Sequence, residues 1–234
     1  MPRRMRPATP GDARAMASVY FSAFQDNSVA TTCFPQASQA CRDFLSTSFA
    51  EEIKDPRCQW LVVVTDSDHS EESDQIIACA KWVRPSQDGE PNVTPPPPSD
   101  IWPKDGNPAF ANHFFGSLAK KHAEIMGGTR HWYLELIVCR KEHHGTGAAT
   151  PLMRWGCQKA DEEEKVVFLE SMPAAKAVYE KYGFQAVYSM NFEVPNSGVA
   201  TQTFMLRKGN AIADSDAVMA RIGELRKAEA AQLA

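Results

Sequence analysis

Between residues 131 and 184 the chain reads HWYLELIVCRKEHHGTGAATPLMRWGCQKADEEEKVVFLESMPAAKAVYEKYGF. An apolar strand, a turn carrying Gly145 and Gly147, a helix, a second strand and a short helix ending at Tyr182-Gly183-Phe184 follow one another. This order commits the chain to an α/β class. A turn placed after a strand and before a helix can aim several backbone N–H groups at one point, where the positive end of the helix dipole adds to them. The ligand chemistry that suits such a turn is phosphate.

The 234 residues suffice for one large domain with a sizeable core, and 43% apolar with 23% charged residues is a folding composition. With 25 basic and 29 acidic side chains, the net charge of −4 offers no general field for nucleic acid or an anionic membrane. Any anion must therefore be held locally. No apolar run reaches membrane-spanning length, and the basic N-terminus has no apolar segment behind it, which points to the cytoplasm. Cys33, Cys41, Cys58, Cys79, Cys139 and Cys157 form no C-x-x-C pair, so reduced thiols are expected. No metal is expected either: Cys139 has His143 and His144 nearby, but the two histidines share one turn and a fourth ligand is missing.

Along the chain, helical periodicity is expected over residues 12–25, 36–54, 109–126 and 214–233, with a turn-rich segment at 26–35. Residues 59–65 and 75–83 read as a hairpin joined by an acidic linker, 66–74, which is expected to be a solvated loop. Residues 185–194 and 201–207 form another hairpin around Pro195-Asn196-Ser197-Gly198. The run Pro95 to Pro98 marks a surface insertion, about 85–128, that includes the aromatic helix with Phe110, Phe114 and Phe115. The division is then a main domain, 1–208, and a C-terminal helix, 209–234, which docks on the body or meets a partner.

The cradle itself is His143-His144-Gly145-Thr146-Gly147-Ala148. The following helix can start with Gly147 as its cap, or at Thr150 with Pro151 among its first residues, leaving 145–149 as a longer loop. A dinucleotide fold would need a third glycine where Thr150 stands, although Glu170 mimics the ribose-binding acid.

The block resembles the GNAT superfamily of N-acetyltransferases, whose signature joins a strand, Gln/Arg-x-x-Gly-x-Gly/Ala, a helix, a strand and a helix ending Tyr-x-x-x-Gly-Phe. Here these are residues 134–139, the run from Glu142 to Gly147, residues 148–163, residues 166–170, and Tyr179 to Phe184. Glu142 departs from the family's Gln or Arg, and Met172 stands where many members carry Asn. The resemblance implies a mixed, mostly antiparallel central sheet flanked by helices, with splayed fourth and fifth strands. It also implies acetyl-CoA as co-substrate, its diphosphate on the cradle and its pantetheine arm along Leu136, Ile137 and Val138. The acetyl group would pass directly to a primary amine of a small molecule or peptide.

Within that frame Tyr179 matches the tyrosine that protonates the departing thiolate, and it also fits a packing role. Glu135, opposite in alternation to Leu134 and Leu136, is a candidate base and could equally face solvent or a salt bridge. Ser171 is a hydroxyl near the thiol. Arg140, Lys141, His143 and His144 add positive charge beside the cradle. Phe24, Phe34 and Trp82 fit an acceptor pocket or, more simply, the core. No acceptor is legible, and the family arrangement leaves room for a homodimer. The rival functions are a catalytically silent acetyl-CoA-binding regulatory module and a nucleotide-dependent oxidoreductase.

Overall fold

The structure is a computed structural model that describes residues 3–65, 75–93, 95 and 98–233. The linker 66–74 and the centre of the proline run lie outside the described residues. Seven strands take the hydrogen-bonded order β1-β2-β3-β4-β5-β7-β6. The sheet is mixed and mostly antiparallel, with helices flanking it and β4 and β5 as parallel neighbours, which is the class expected from the sequence. By internal packing the chain divides into two compact units, and β4 (His131–Cys139) contributes its first three residues to one and the rest to the other.

The first unit holds residues 1–84, 102–108 and 134–156. Its strands β1 (Arg3–Pro7), β2 (Cys58–Thr65) and β3 (Gln75–Val83) pair antiparallel, Trp60 facing Lys81, with a bulge at Val63/Val64. Residues 61–64 are buried on both faces, so they read as a continuous apolar run instead of an alternating one. Helix α1 spans Ala13–Ala23. The segment 26–35, expected to be turn, contains a short helix, α2 (Ser28–Cys33), because the Asn27 side chain accepts from the Ala30 N–H and caps it. The Ser38 hydroxyl likewise accepts from the Cys41 N–H and starts α3 (Gln39–Glu52), three residues later than periodicity suggests. Residues 102–108, from within the insertion, are pinned here. The Asn107 N–H donates to the Thr32 carbonyl at 3.0 Å, and a Cβ on Gly106 would stand 2.0 Å from the Cys33 carbonyl oxygen. Trp102 lies 6.1 Å from the Phe34 ring and 6.0 Å from Phe44.

The second unit holds residues 85–101, 109–133 and 157–234. In it β5 (Val166–Ser171) and β6 (Gln185–Val194) each pair antiparallel with β7 (Gly198–Arg207). Helix α4 (Pro108–Met126) turns its aromatic stripe inward: Phe110, Phe114 and His122 are buried. The last helix, α7 (Ile212–Leu233), docks through Val218 and Ile222 into a core with Ile125, Phe168 and Phe204. His131 Nδ1 donates to the Thr129 carbonyl at 2.7 Å, which leaves its Nε2 as acceptor for the His122 Nε2–H, also at 2.7 Å. Burial holds both imidazoles well below their usual titration range, His131 at about 4, and His122 stacks on Phe168.

Candidate active site

The glycine turn occupies residues 144–149, and α5 begins at Thr150 and runs to Glu162. Of the two starts the sequence allows, the structure takes the longer loop. Gly145 and Gly147 both lie in the left-handed region, at φ 73° and 76°, a conformation that side-chain-bearing residues avoid. A Cβ on Gly145 would meet nothing within 4 Å, so backbone shape and not crowding calls for glycine there. The Thr146 N–H donates to the His143 carbonyl at 3.3 Å and the Thr150 N–H to the Gly147 carbonyl at 3.0 Å. The N–H groups of Gly145, Gly147, Ala148 and Ala149 have no hydrogen-bond partner among the described residues. Unpaired backbone donors clustered before a helix have the chemistry that suits an anion.

The charged groups around this loop divide their work. Arg3 of β1, which sequence reasoning missed because 143 residues separate the pair, donates to the Thr146 carbonyl at 2.9 Å. Arg140 donates to the Ile76 carbonyl at 2.9 Å, and its own N–H to the Ile77 carbonyl at 2.8 Å, fastening the end of β4 to β3. Lys141, expected to lend charge to the cradle, pairs with Asp26 at 2.6 Å. The His144 Nε2 donates to the Cys139 carbonyl at 2.9 Å. The Glu142 carboxylate is held below its usual range by its own backbone N–H, with Arg140 and His143 assisting. It also accepts from Ser22 Oγ at 3.4 Å. The Cys139 thiol is pushed up by burial, the opposite of what a nucleophile requires.

On β4, Leu136 and Ile137 are half-buried and Val138 is buried, while Glu135 is exposed. Its carboxylate meets Lys81 Nζ at 2.8 Å, so of its expected roles the salt bridge is observed. Lys81 also reaches Glu52 at 3.2 Å. Lys81 and Glu52 did not stand out in the sequence, since 54 residues separate Lys81 from Glu135 and no periodicity links them.

In the second unit Tyr179 sits on α6 (Pro173–Glu180) with 9% of its surface exposed, edge-on to Phe184 at 6.0 Å. Its hydroxyl makes no hydrogen bond among the described residues, and desolvation pushes the phenol up to about 12. A buried phenol usually finds a partner, so this one is both packed and chemically available. Ser171, buried at the end of β5, donates its hydroxyl to the Met172 carbonyl at 2.8 Å. Phe34 and Trp82 are core; the Trp82 indole donates to the Leu152 carbonyl at 3.2 Å, and a Cβ on Gly156 would lie 2.2 Å from its ring. Among the described residues no group of His, Cys, Asp and Glu has the placement to hold a metal ion, and no helix is long and apolar enough to cross a membrane.

Comparison with known proteins follows the same line. The family model described as "Acetyltransferase (GNAT) domain" matches residues 111–202. No curated protein matches the chain by sequence. Among solved structures, arylalkylamine N-acetyltransferase 2 from Aedes aegypti aligns over 90% of this chain and 100% of its own, with a TM-score of 0.63 at 11% identity. A structure described as histone acetyltransferase HPA2 and related acetyltransferase, from Corynebacterium glutamicum, aligns over 88% and 96%, with a TM-score of 0.55 at 19% identity. The ribosomal-protein-S18-alanine N-acetyltransferase from Escherichia coli aligns over 88% and 93%, with a TM-score of 0.52 at 13% identity. At such identities the shared property is the fold.

Proposed function

From a GNAT acetyltransferase domain as premise, we propose that this chain moves the acetyl group of acetyl-CoA to a primary amine of a small molecule or peptide, by direct transfer. The observation that carries the reading is the set of four unpartnered N–H groups at Gly145, Gly147, Ala148 and Ala149 ahead of α5. They suit the diphosphate of the cofactor, with Arg3 close enough to add charge where the family's Gln or Arg is replaced by Glu142. Leu136, Ile137 and Val138 are assigned to the pantetheine arm, and His143, His144, Thr146 and Ser171 to its surroundings, on the resemblance.

In the proposed reaction Glu135 takes a proton from the acceptor ammonium, directly or through water, and the freed nitrogen attacks the thioester carbonyl. The carbon–sulfur bond breaks, Tyr179 gives its proton to the thiolate, and the attacking nitrogen, now the amide nitrogen, releases its second proton to solvent, from which the tyrosinate is reprotonated. A phenol that ionises only near pH 12 stays protonated at neutral pH and can serve as that acid. Six free cysteines fit a reducing compartment, and we place the protein in the cytoplasm. A thermal-shift comparison of acetyl-CoA with NADH, followed by thiol release over small amines, polyamines, aminoglycosides and peptide N-termini, tests the reading. Stabilisation by acetyl-CoA alone and amine-dependent release of thiol are expected. Binding without turnover on any amine favours the silent module, and stabilisation by NADH the oxidoreductase.

A further inference from the structure

We propose that Lys81 is the positioning residue for Glu135, holding that carboxylate as a fixed anion toward the acceptor's ammonium, with Glu52 sharing the same cation from the other side. The inference rests on the acetyl-transfer reading and deepens it. Three elements meet at this point: Glu52 ends α3, Lys81 lies on β3 and Glu135 on β4. The lysine side chain is only 8% exposed, whereas Glu52 and Glu135 are 34% and 36% exposed. The cation is thus inside and both carboxylates reach the surface.

A buried lysine between two glutamates is a poor way to gain stability, because desolvating the charges cancels much of their attraction. What the arrangement supplies is orientation. Burial works against the Lys81 charge, but Glu135 and Glu52 outweigh it and raise the ammonium, so it stays charged throughout the working range. Burial raises the Glu52 carboxyl and outweighs the pull of Lys81, with Glu135 adding to the rise. The other titratable neighbours do not compete. Asp55 is satisfied by Arg57 at 2.7 Å, and burial pushes the Cys58 thiol up to about 11, so it is neutral in the working range. Two carboxylates set against one ammonium leave an excess negative charge at half-exposed oxygens, the complement of a protonated amine.

The test is the acid limb of kcat/KM for an accepted amine across roughly pH 5 to 9, with acetyl-CoA affinity measured alongside. Lys81→Met should move that limb upward, since a carboxylate that loses a contacting cation becomes easier to protonate. Lys81→Arg should keep it near the wild-type position. Glu52→Gln should move it downward, because Glu135 then has the cation to itself. Acetyl-CoA affinity should not change in any of them. A merely structural role predicts a lower melting temperature with an immobile limb, and that result overturns the proposal. If Lys81→Met does not fold, Glu52→Gln decides alone: a downward shift upholds the proposal and no shift overturns it. A wild-type protein that acetylates no amine overturns the transfer reading and this inference together; turnover with immobile limbs overturns only the inference.

Discussion

Two of the buried clusters of titratable side chains among the described residues are built to opposite ends. In the second unit His122 and His131 share one hydrogen bond, the second is anchored on a backbone carbonyl, and both rings are almost fully enclosed at 3% exposure. Their neighbours are the rings of Phe168 and Tyr133, not charges. In the first unit Lys81 is enclosed, but both carboxylates it serves open outward. A closed, neutral pair can only hold structure together. A charged cluster with its oxygens exposed still has valence to offer a ligand. The same contrast separates the loop at Gly145 from an ordinary turn: its amides are left over, not used up.

The sharpest way to break this contrast is to fill the open site. Gly147→Glu puts a side chain at φ 76° and a carboxylate among donors suited to phosphate, and should weaken acetyl-CoA binding by about 100-fold or more while the protein still folds. Calorimetric titration checks it, and unimpaired affinity in the folded variant would refute the phosphate assignment. The next effect belongs to Tyr179. Tyr179→Phe removes an unpartnered hydroxyl and keeps the packing against Phe184, so kcat should fall on the order of 10- to 100-fold with little change in acetyl-CoA affinity and melting temperature. Unchanged kcat would return Tyr179 to packing.

A third prediction tests the closed pair. Histidines whose folded pKa values lie below 6.5 leave the unfolded chain binding more protons as pH falls, so stability is complete above that value and is lost on acidification. For His131 the loss runs from about pH 6.5 to about 4 and amounts to roughly 3 kcal/mol. Chemical denaturation at a series of pH values should show this decline in the wild type and a shallower one in His122→Phe. An identical slope in the two would mean the pair does not carry the acid sensitivity.

How far the sequence reached follows the range of each signal. Local patterns were readable: β3 and β6 fall where alternation and turn residues put them, and the block from β4 to Phe184 announces the cradle. Helix α2 was missed although Asn27 is a good cap, because six residues followed by Pro35 carry too little periodicity to register. β7 begins at Gly198, three residues before the expected start at 201, and its first residues are exposed. Contacts that tie distant segments, such as Arg3 to Thr146 and Lys81 to Glu135, leave no trace in spacing. Each is made by a side chain whose partner is chosen by the sheet and not by its neighbours in the chain.

The central claim is that main-chain donors of the loop grip a diphosphate. An amide NMR titration of the isotope-labelled protein with coenzyme A reads those donors one by one. The account predicts that Gly145, Gly147, Ala148 and Ala149 shift first and furthest, that 3′-dephospho-coenzyme A does the same, and that pantetheine, which lacks the diphosphate, leaves them in place. Saturation by coenzyme A with these four resonances unmoved, or no binding at all, would contradict it.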